Sequence, residues 1–212
     1  MVMSEQEGTP PVSRNGVHGE WLTLLEELLG GAVHTTNNAT TALSVLLALG
    51  DMDGEPLDQG MLMREFGRVQ EMAAVVATLS GRSSRTEALE LRPVLDMAVN
   101  FHSLHQRLRG IACVVEQAGS LLPVRVPRSE LLRLLLLMID AAKRSCTQDA
   151  SVVIKLSGDP VQLDVQVSCT MEPGDDMRVF AESCGGVVRQ ADGALRLELP
   201  TLLAQRQRER AS

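Results

Sequence analysis

Aromatic side chains are nearly missing from this chain of 212 residues, which has no tyrosine, one tryptophan and three phenylalanines. A core without rings must be filled by Leu, Val, Ala and Met, which favours helices and leaves few surfaces on which a base can stack. A formal charge of −7 and a pI near 5.1 likewise disfavour a polyanion, so no nucleic-acid partner is expected. Long hydrophobic runs are lacking too. The longest, LLRLLLLMI at 131–139, is broken by Arg133 and falls short of the roughly 20 residues that span a bilayer. The polar start, MVMSEQEGTPPVSRNG, has neither the basic nor the apolar region of a secretory signal. A cytoplasmic protein with no membrane partner is expected. Cysteine is sparse: Cys113, Cys146, Cys169 and Cys184 form no CxxC pair, which speaks against a zinc site or a disulfide framework and for buried, reduced thiols.

What is present is helical periodicity followed by alternation. From Glu20 to Leu49 the positions Leu22, Leu25, Leu29, Ala32, Thr36, Ala39, Leu43 and Leu46 advance by alternating threes and fours, the seam of a coiled-coil-like bundle. GDMDGEP at 50–56 breaks this pattern. A second helix over Leu57–Leu79 carries Leu62, Phe66, Val69, Ala73, Val76 and Leu79 on one stripe, and SGRSSR at 80–85 reads as a linker. Leu24, Leu28, Val45, Leu47, Met61 and Val75 fall outside both seams. Two helices cannot bury so much apolar surface, whereas two hairpins packed as a four-helix bundle can. A homodimer is expected, with Leu25, Leu29, Leu43, Leu62, Val69 and Val76 in its core.

Beyond residue 85 the pattern turns to α+β. ALEL at 88–91 is a short strand, Arg92–Leu108 is a helix with Pro93 in its first turn, and IACVVEQ alternates as a strand. Pro127 opens an apolar helix through Ser145; SVVIKLSG and VQLDVQVSC make one hairpin, and GGVVRQADGALRLELP another. The expected organisation is a disordered tail at 1–18, a helical hairpin at 19–82, an α+β domain at 85–203 and a flexible tail at 204–212.

Within the first helix, GGAVHTTNNATTAL sets His34 among Thr and Asn, poor helix formers. With Leu29 and Ala32 on the seam, His34 falls on the opposite face and is expected to be exposed, with Asn38 one turn on and within reach. An exposed imidazole amid small polar groups is a nucleophile open to a protein partner. Gly30, Gly31, Thr35 and Asn38 are expected to permit its close approach. His102 and His105, three apart, lack a third ligand at matching spacing, so no metal site is expected. His18 belongs to the tail, and Asp175 and Asp176 suit a helix start.

VHTTNNATTALSVLLAL resembles the phospho-acceptor helix of two-component sensor histidine kinases, whose motif is His, an acidic residue, two variable residues, then Asn or Pro and an apolar run. The segment from LRPVLDM to DAAKRS resembles the start of their ATP-binding domain, and FAESCGGVVRQADGALRLELP its last two strands. The departures from the family are specific. Asp140 stands where the kinases hold magnesium with Asn, only Gly174 stands where an Asp-x-Gly-x-Gly turn is expected, and the lid with its second glycine box is absent. Thr35 replaces the acid beside the phospho-acceptor His. A kinase-like body with a retained His and a stripped nucleotide site is similar to the bacterial histidine phosphotransferases. The resemblance implies an α+β protein, a dimeric helical-hairpin bundle followed by a degenerate kinase-like ATPase α/β sandwich. It further implies a phosphorelay in the cytoplasm, in which His34 is the phospho-acceptor, Asn38 and Thr35 are auxiliary, and response-regulator receiver domains are the partners. No cofactor of its own is implied, Mg2+ coming with the receiver. The alternatives are a pseudokinase scaffold that docks a receiver or kinase without carrying phosphate, and a divergent kinase that still uses ATP.

Overall fold

A computed structural model describes residues 18–53, 59–80, 85–146 and 150–211. Helix α1, Gly19–Asp53, and helix α2, Gln59–Ser80, form the N-terminal hairpin. Strand β1 (Thr86–Leu89), helix α3 (Leu91–His102), strands β2 (Ala112–Gln117) and β3 (Val124–Pro127) and helix α4 (Arg128–Ser145) follow. The chain continues through strands β4 (Ser151–Gly158) and β5 (Gln162–Ser168), helix α5 (Asp175–Ser183), strands β6 (Val187–Ala191) and β7 (Ala194–Pro200), and helix α6 (Leu202–Ala211). The architecture is α+β, a helical hairpin followed by a mixed sheet with helices packed on it. Among the described residues no helix is long and apolar enough to cross a membrane.

The five-stranded sheet has the order β2-β4-β5-β7-β6. Strands β2 and β4 are parallel, as the crossover through α4 requires, and the remaining pairs are antiparallel. Strict alternation turns Val152, Ile154 and Leu156, Leu163, Val165 and Val167, and Leu195, Leu197 and Leu199 to one buried face. Register sets them in rows: Ile154 lies opposite Val167 and Val167 opposite Leu195, with Leu156, Val165 and Leu197 alongside. Helix α4 lies on this face. It is apolar nearly all round because it is covered on both sides, by the sheet below and by α3, α5 and the hairpin above. Arg133, the one charge inside its apolar run, is held by both terminal nitrogens, with Nη1 donating to Glu130 Oε1. Nη2 donates to the Leu79 carbonyl at the end of α2, and the guanidinium stands 5.7 Å from the Trp21 ring and 5.9 Å from that of Phe180.

Several element bounds differ from the sequence expectation. Helix α1 does not stop at Gly50 but runs to Asp53; residues 1–17, 54–58, 81–84, 147–149 and 212, which include all of the expected N-terminal tail but His18 and most of the linker, lie outside the described residues. Helix α3 ends at His102, six residues early, in turns that run to Gly110. Strand β3 was not expected at all; it pairs antiparallel with β1, Thr86 opposite Pro127 and Leu89 opposite Val124. The expected flexible tail from 204 is instead α6. Thr201 Oγ1 accepts from the Ala204 N–H as an N-cap, Ala204 is buried, and Gln205 Nε2 donates to the Arg125 carbonyl.

Within the chain, α1 meets the α+β body through a stripe beside the expected seam. Trp21, Leu24 and Leu28 are buried against the α+β body, whereas the seam residues Leu22 and Leu29 are 60% and 37% exposed. The packed stripe is rotated by one position in the first half of the helix and rejoins the expected one at Ala32 and Ala39. Gly31 explains part of this rotation. A Cβ there would overlap the carbonyl oxygen of Leu104 and stand 2.9 Å from its carbon, so α1 touches the backbone turn after α3 at this residue. Gly31 is therefore buried by the chain itself and does not clear space for a partner, while Gly30 faces open space. Adjacent glycines should answer oppositely to one methyl group. Gly30→Ala is expected to stabilise by about 0.5–1 kcal/mol through helix propensity, and Gly31→Ala to destabilise by about 1–3 kcal/mol through overlap with rigid backbone, both read by urea denaturation.

Candidate functional site

His34 lies on the exposed face of α1, with Val33, Asn37 and Asn38 also exposed and Thr35 and Thr36 half-buried. The helical one-turn spacing brings Asn38 Nδ2 to 3.2 Å from His34 Nε2. An amide nitrogen only donates, so Nε2 accepts and the ring hydrogen sits on Nδ1. The run of poor helix formers is accommodated by back-bonding. Thr40 Oγ1 donates to the Thr36 carbonyl, Thr41 Oγ1 to that of Asn37 and Ser44 Oγ to that of Thr40, at 2.8–2.9 Å. Asn37, Thr40, Thr41, Ser44, Val45 and Ala48 line a shallow groove of about 430 Å³ further along the same helix. If Asn38 sets the tautomer, Asn38→Ala should move His34 from mainly Nδ1–H towards the Nε2–H form, measured by ring 15N NMR, with helix content unchanged.

A second polar cluster was not foreseen. The rings of His102 and His105 stack at 5.5 Å and 12° and turn their Nε2 atoms to different acids. His102 donates to Asp140 Oδ1 at 3.2 Å, and His105 to Glu27 Oε2 at 2.9 Å. Arg144 bridges the two acids, Nε to Asp140 Oδ2 at 2.6 Å and Nη2 to Glu27 Oε2. Burial raises the Asp140 carboxyl, but the hydrogen bonds from His102 and Arg144 outweigh it and hold the group below its ordinary value. Glu27 is lowered by the same balance, with His105 and Arg144 as the donors that prevail over burial. Burial pushes His102 down, so it is neutral, with its hydrogen on Nε2. Since Glu27 is on α1 and the other four residues are in the α+β body, the cluster ties hairpin to body. Among the described residues no group of three or more His, Cys, Asp or Glu is placed to hold a metal ion. The one-turn spacing of His34 and Asn38 was visible in the sequence; the partners Glu27 and Asp140 lie 78 and 38 residues from their histidines and left no local signal.

His18 is no loose tail. It stacks on Phe180 at 5.6 Å and stands 3.6 Å from Asp176. Asp175 and Asp176 do open a helix, α5, as expected, and Asp176 also accepts the Trp21 backbone N–H at 2.8 Å. Beside these residues is a cleft of about 400 Å³ with Glu20 and Thr23 of α1 on one wall and Asp140, Arg144, Met171 and Gly174 on the other. The Glu20 carboxylate packs directly over Gly174, and burial together with Asp176 and Asp175 raises its pKa. Of the four thiols, Cys169 and Cys184 are buried as expected, and burial pushes Cys184 up to about 12; Cys113 and Cys146 are half-buried instead.

No known family model matches the chain, and no curated protein sequence matches it. Its structural neighbours are histidine kinase domains. The mycobacterial sensor histidine kinase MprB is 18% identical with a TM-score of 0.45, over 55% of this chain and 97% of that one. The Acinetobacter baumannii histidine kinase AdeS is 15% identical with a TM-score of 0.44, over 80% of this chain and 98% of that one. A bacterial phosphotransferase is 15% identical with a TM-score of 0.40, over 84% of this chain and 95% of its own. These likenesses assign no residue a role.

Proposed function

We propose that the protein is a histidine phosphotransferase that takes a phosphoryl group from the aspartyl phosphate of one receiver domain onto His34 and returns it to the aspartate of another. The observation that carries this reading is the exposed imidazole of His34 with Asn38 at its Nε2. Transfer in either direction needs in-line approach and charge neutralisation. Asn38 orients the ring and yields Nε2 as the phosphorus approaches, and the receiver contributes its own Mg2+ and carboxylates. Thr35, half-buried and next to His34 in sequence, takes the place of an acid that attack on ATP would need and this transfer does not. An acidic cleft with Glu20 over Gly174 and Asp140 against Arg144 is unsuited to a triphosphate. In the test, the protein is mixed with a receiver domain labelled on its aspartate. Acid-labile, base-stable phosphate on the chain supports the reading. Absence of label while the receiver still binds favours the scaffold, and saturable heat with micromolar ATP and Mg2+ favours a kinase.

The second copy belongs to the same proposal. Of the six residues expected in a dimer core, none is buried within the chain, and Val76, Met63 and Phe66 are 39%, 68% and 50% exposed on α2. A partner hairpin covers this face and completes a four-helix bundle. The wild type is expected to sediment at twice the chain mass at micromolar concentration. Val76→Glu should yield a folded monomer, because the substituted position is wet in the single chain; a wild-type monomer overturns the dimer.

A further inference from the structure

Helix α1 carries Glu20, Glu26, Glu27, Asp51 and Asp53 and has neither lysine nor arginine. Helix α2 adds Arg64 and Arg68 against Glu65 and Glu71, and Arg68 is already held by Glu65. A phosphoryl group brought to His34 by an acidic partner therefore meets a helix of its own sign. Phosphoryl transfer requires that charge to be offset, so a cation must come from outside the hairpin.

Helix geometry places that cation. At 3.6 residues per turn, Glu27, Gly31, His34 and Asn38 lie within about 60° of one another around α1, on one face. Two of them meet the body: Gly31 abuts the Leu104 carbonyl and Glu27 accepts from His105, so the turn after α3 stands directly on this face. Past Gly31 the face opens, and His34 and Asn38 are exposed. The turn is a wall at the edge of the open stretch, and Arg107 sits in it. Its side chain is 83% exposed, and its Nη1 stands 3.9 Å from Glu27 Oε1. Glu27 is already bonded to His105 and Arg144, and an exposed ion pair of this length is weak. The guanidinium can therefore turn to another acid. Seven residues separate Glu27 from His34, about 10 Å along the axis at 1.5 Å each. An interface of ordinary size takes about 800 Å² from each partner, a patch roughly 16 Å in radius. A domain centred on His34 covers Arg107.

Given His34 as the phospho-acceptor proposed above, we propose that the turn from Ser103 to Gly110 is a second contact surface for the phosphorylated receiver domain, with Arg107 as the cation that draws its acidic, phosphate-bearing face onto α1. Arg107 is a positioning residue. It touches no reacting atom, so it acts on association and leaves the transfer step to His34 and Asn38.

Arg107→Glu, Arg107→Gln and Arg107→Lys, each in the full chain, are compared with wild type for binding of a receiver domain by calorimetry and for transfer from the same domain labelled on its aspartate. At low salt Arg107→Glu is expected to bind about tenfold more weakly and, at limiting receiver, to transfer about tenfold more slowly; Arg107→Gln should lose severalfold, and Arg107→Lys should stay within about twofold of wild type. The differences should fade in about 1 M salt, where the screening length is about 3 Å. With receiver saturating, the transfer rate should be unchanged, and the Tm values should agree within about 2 °C. Label on wild-type His34 together with undiminished binding by Arg107→Glu overturns this surface and leaves the phosphotransferase reading intact. Receiver binding without label, weakened in Arg107→Glu, supports the surface and overturns the phosphotransferase reading. A wild type that binds no receiver overturns both. A deficit that persists at high salt or in Arg107→Lys, or that falls on the saturated rate, also overturns the surface, because Arg107 then acts through the fold or at the reacting atoms.

Discussion

His34→Gln protein, mixed with a phosphorylated receiver domain, is expected to gain phosphate at least roughly 10³-fold more slowly than wild type, the scale on which removal of a covalent nucleophile acts. Gln keeps the size and polarity of the side chain. It also has an oxygen that can accept from Asn38 Nδ2, so the 3.2 Å contact has a substitute and the exposed face of α1 is unchanged. Receiver binding, followed by titration calorimetry, should therefore persist within about twofold, since a substitution that leaves the contacts intact changes affinity little. The pairing of lost transfer with kept binding separates a phospho-acceptor from a scaffold. Label acquired at the wild-type rate by His34→Gln ends the phosphotransferase reading, because no other exposed side chain on this face is an imidazole.

The second large effect is on stability. Asp140→Ala is expected to cost about 3 kcal/mol, or roughly 6–12 °C in Tm. It leaves the His102 Nε2–H and one arm of Arg144 without an acceptor in a buried cluster, and Arg144 keeps Glu27 and partial access to water, which limits the loss. The same cluster sets the response to acid. His102 has a folded pKa below its ordinary 6.5, so the unfolded chain binds the proton first. Its contribution is present above pH 6.5 and declines as the pH falls below that value. Asp140 and Glu27 are also depressed from 3.8 and 4.5, so their contribution is present above those values and is lost in stronger acid. Wild-type Tm should thus fall from pH 7 downward in two stages, and in Asp140→Ala the second stage should shrink. A flat profile between pH 7 and 4 contradicts this account.

What could be read from the sequence follows the distance over which each contact acts. His34 and Asn38 are one helical turn apart, so side-chain reach followed from spacing alone. The β4–β5 and β6–β7 hairpins alternate cleanly because one face of the sheet is wet. The stripe by which α1 meets the body was not singled out because Leu24 and Leu28 lie next to Leu22, Leu25 and Leu29 around the helix, and periodicity cannot rank two adjacent apolar stripes. One face meets the body through Trp21, Leu24 and Leu28. Strand β3 has four residues and owes its existence to β1, 38 positions upstream, so no local pattern announces it. The N-cap Thr201 after Pro200 was a visible start signal for α6, obscured by the highly charged segment that follows.

Trp21 has a use apart from packing. It is the sole tryptophan of the chain, buried where α1 meets α5, edge-on to Phe180 at 6.2 Å and beneath Arg133. Intrinsic fluorescence excited at the indole band therefore comes from a single junction, with no tyrosine emission beneath it. A red shift on opening of that junction, or its absence when a receiver docks at His34, would show without any introduced dye whether hairpin and body move as one.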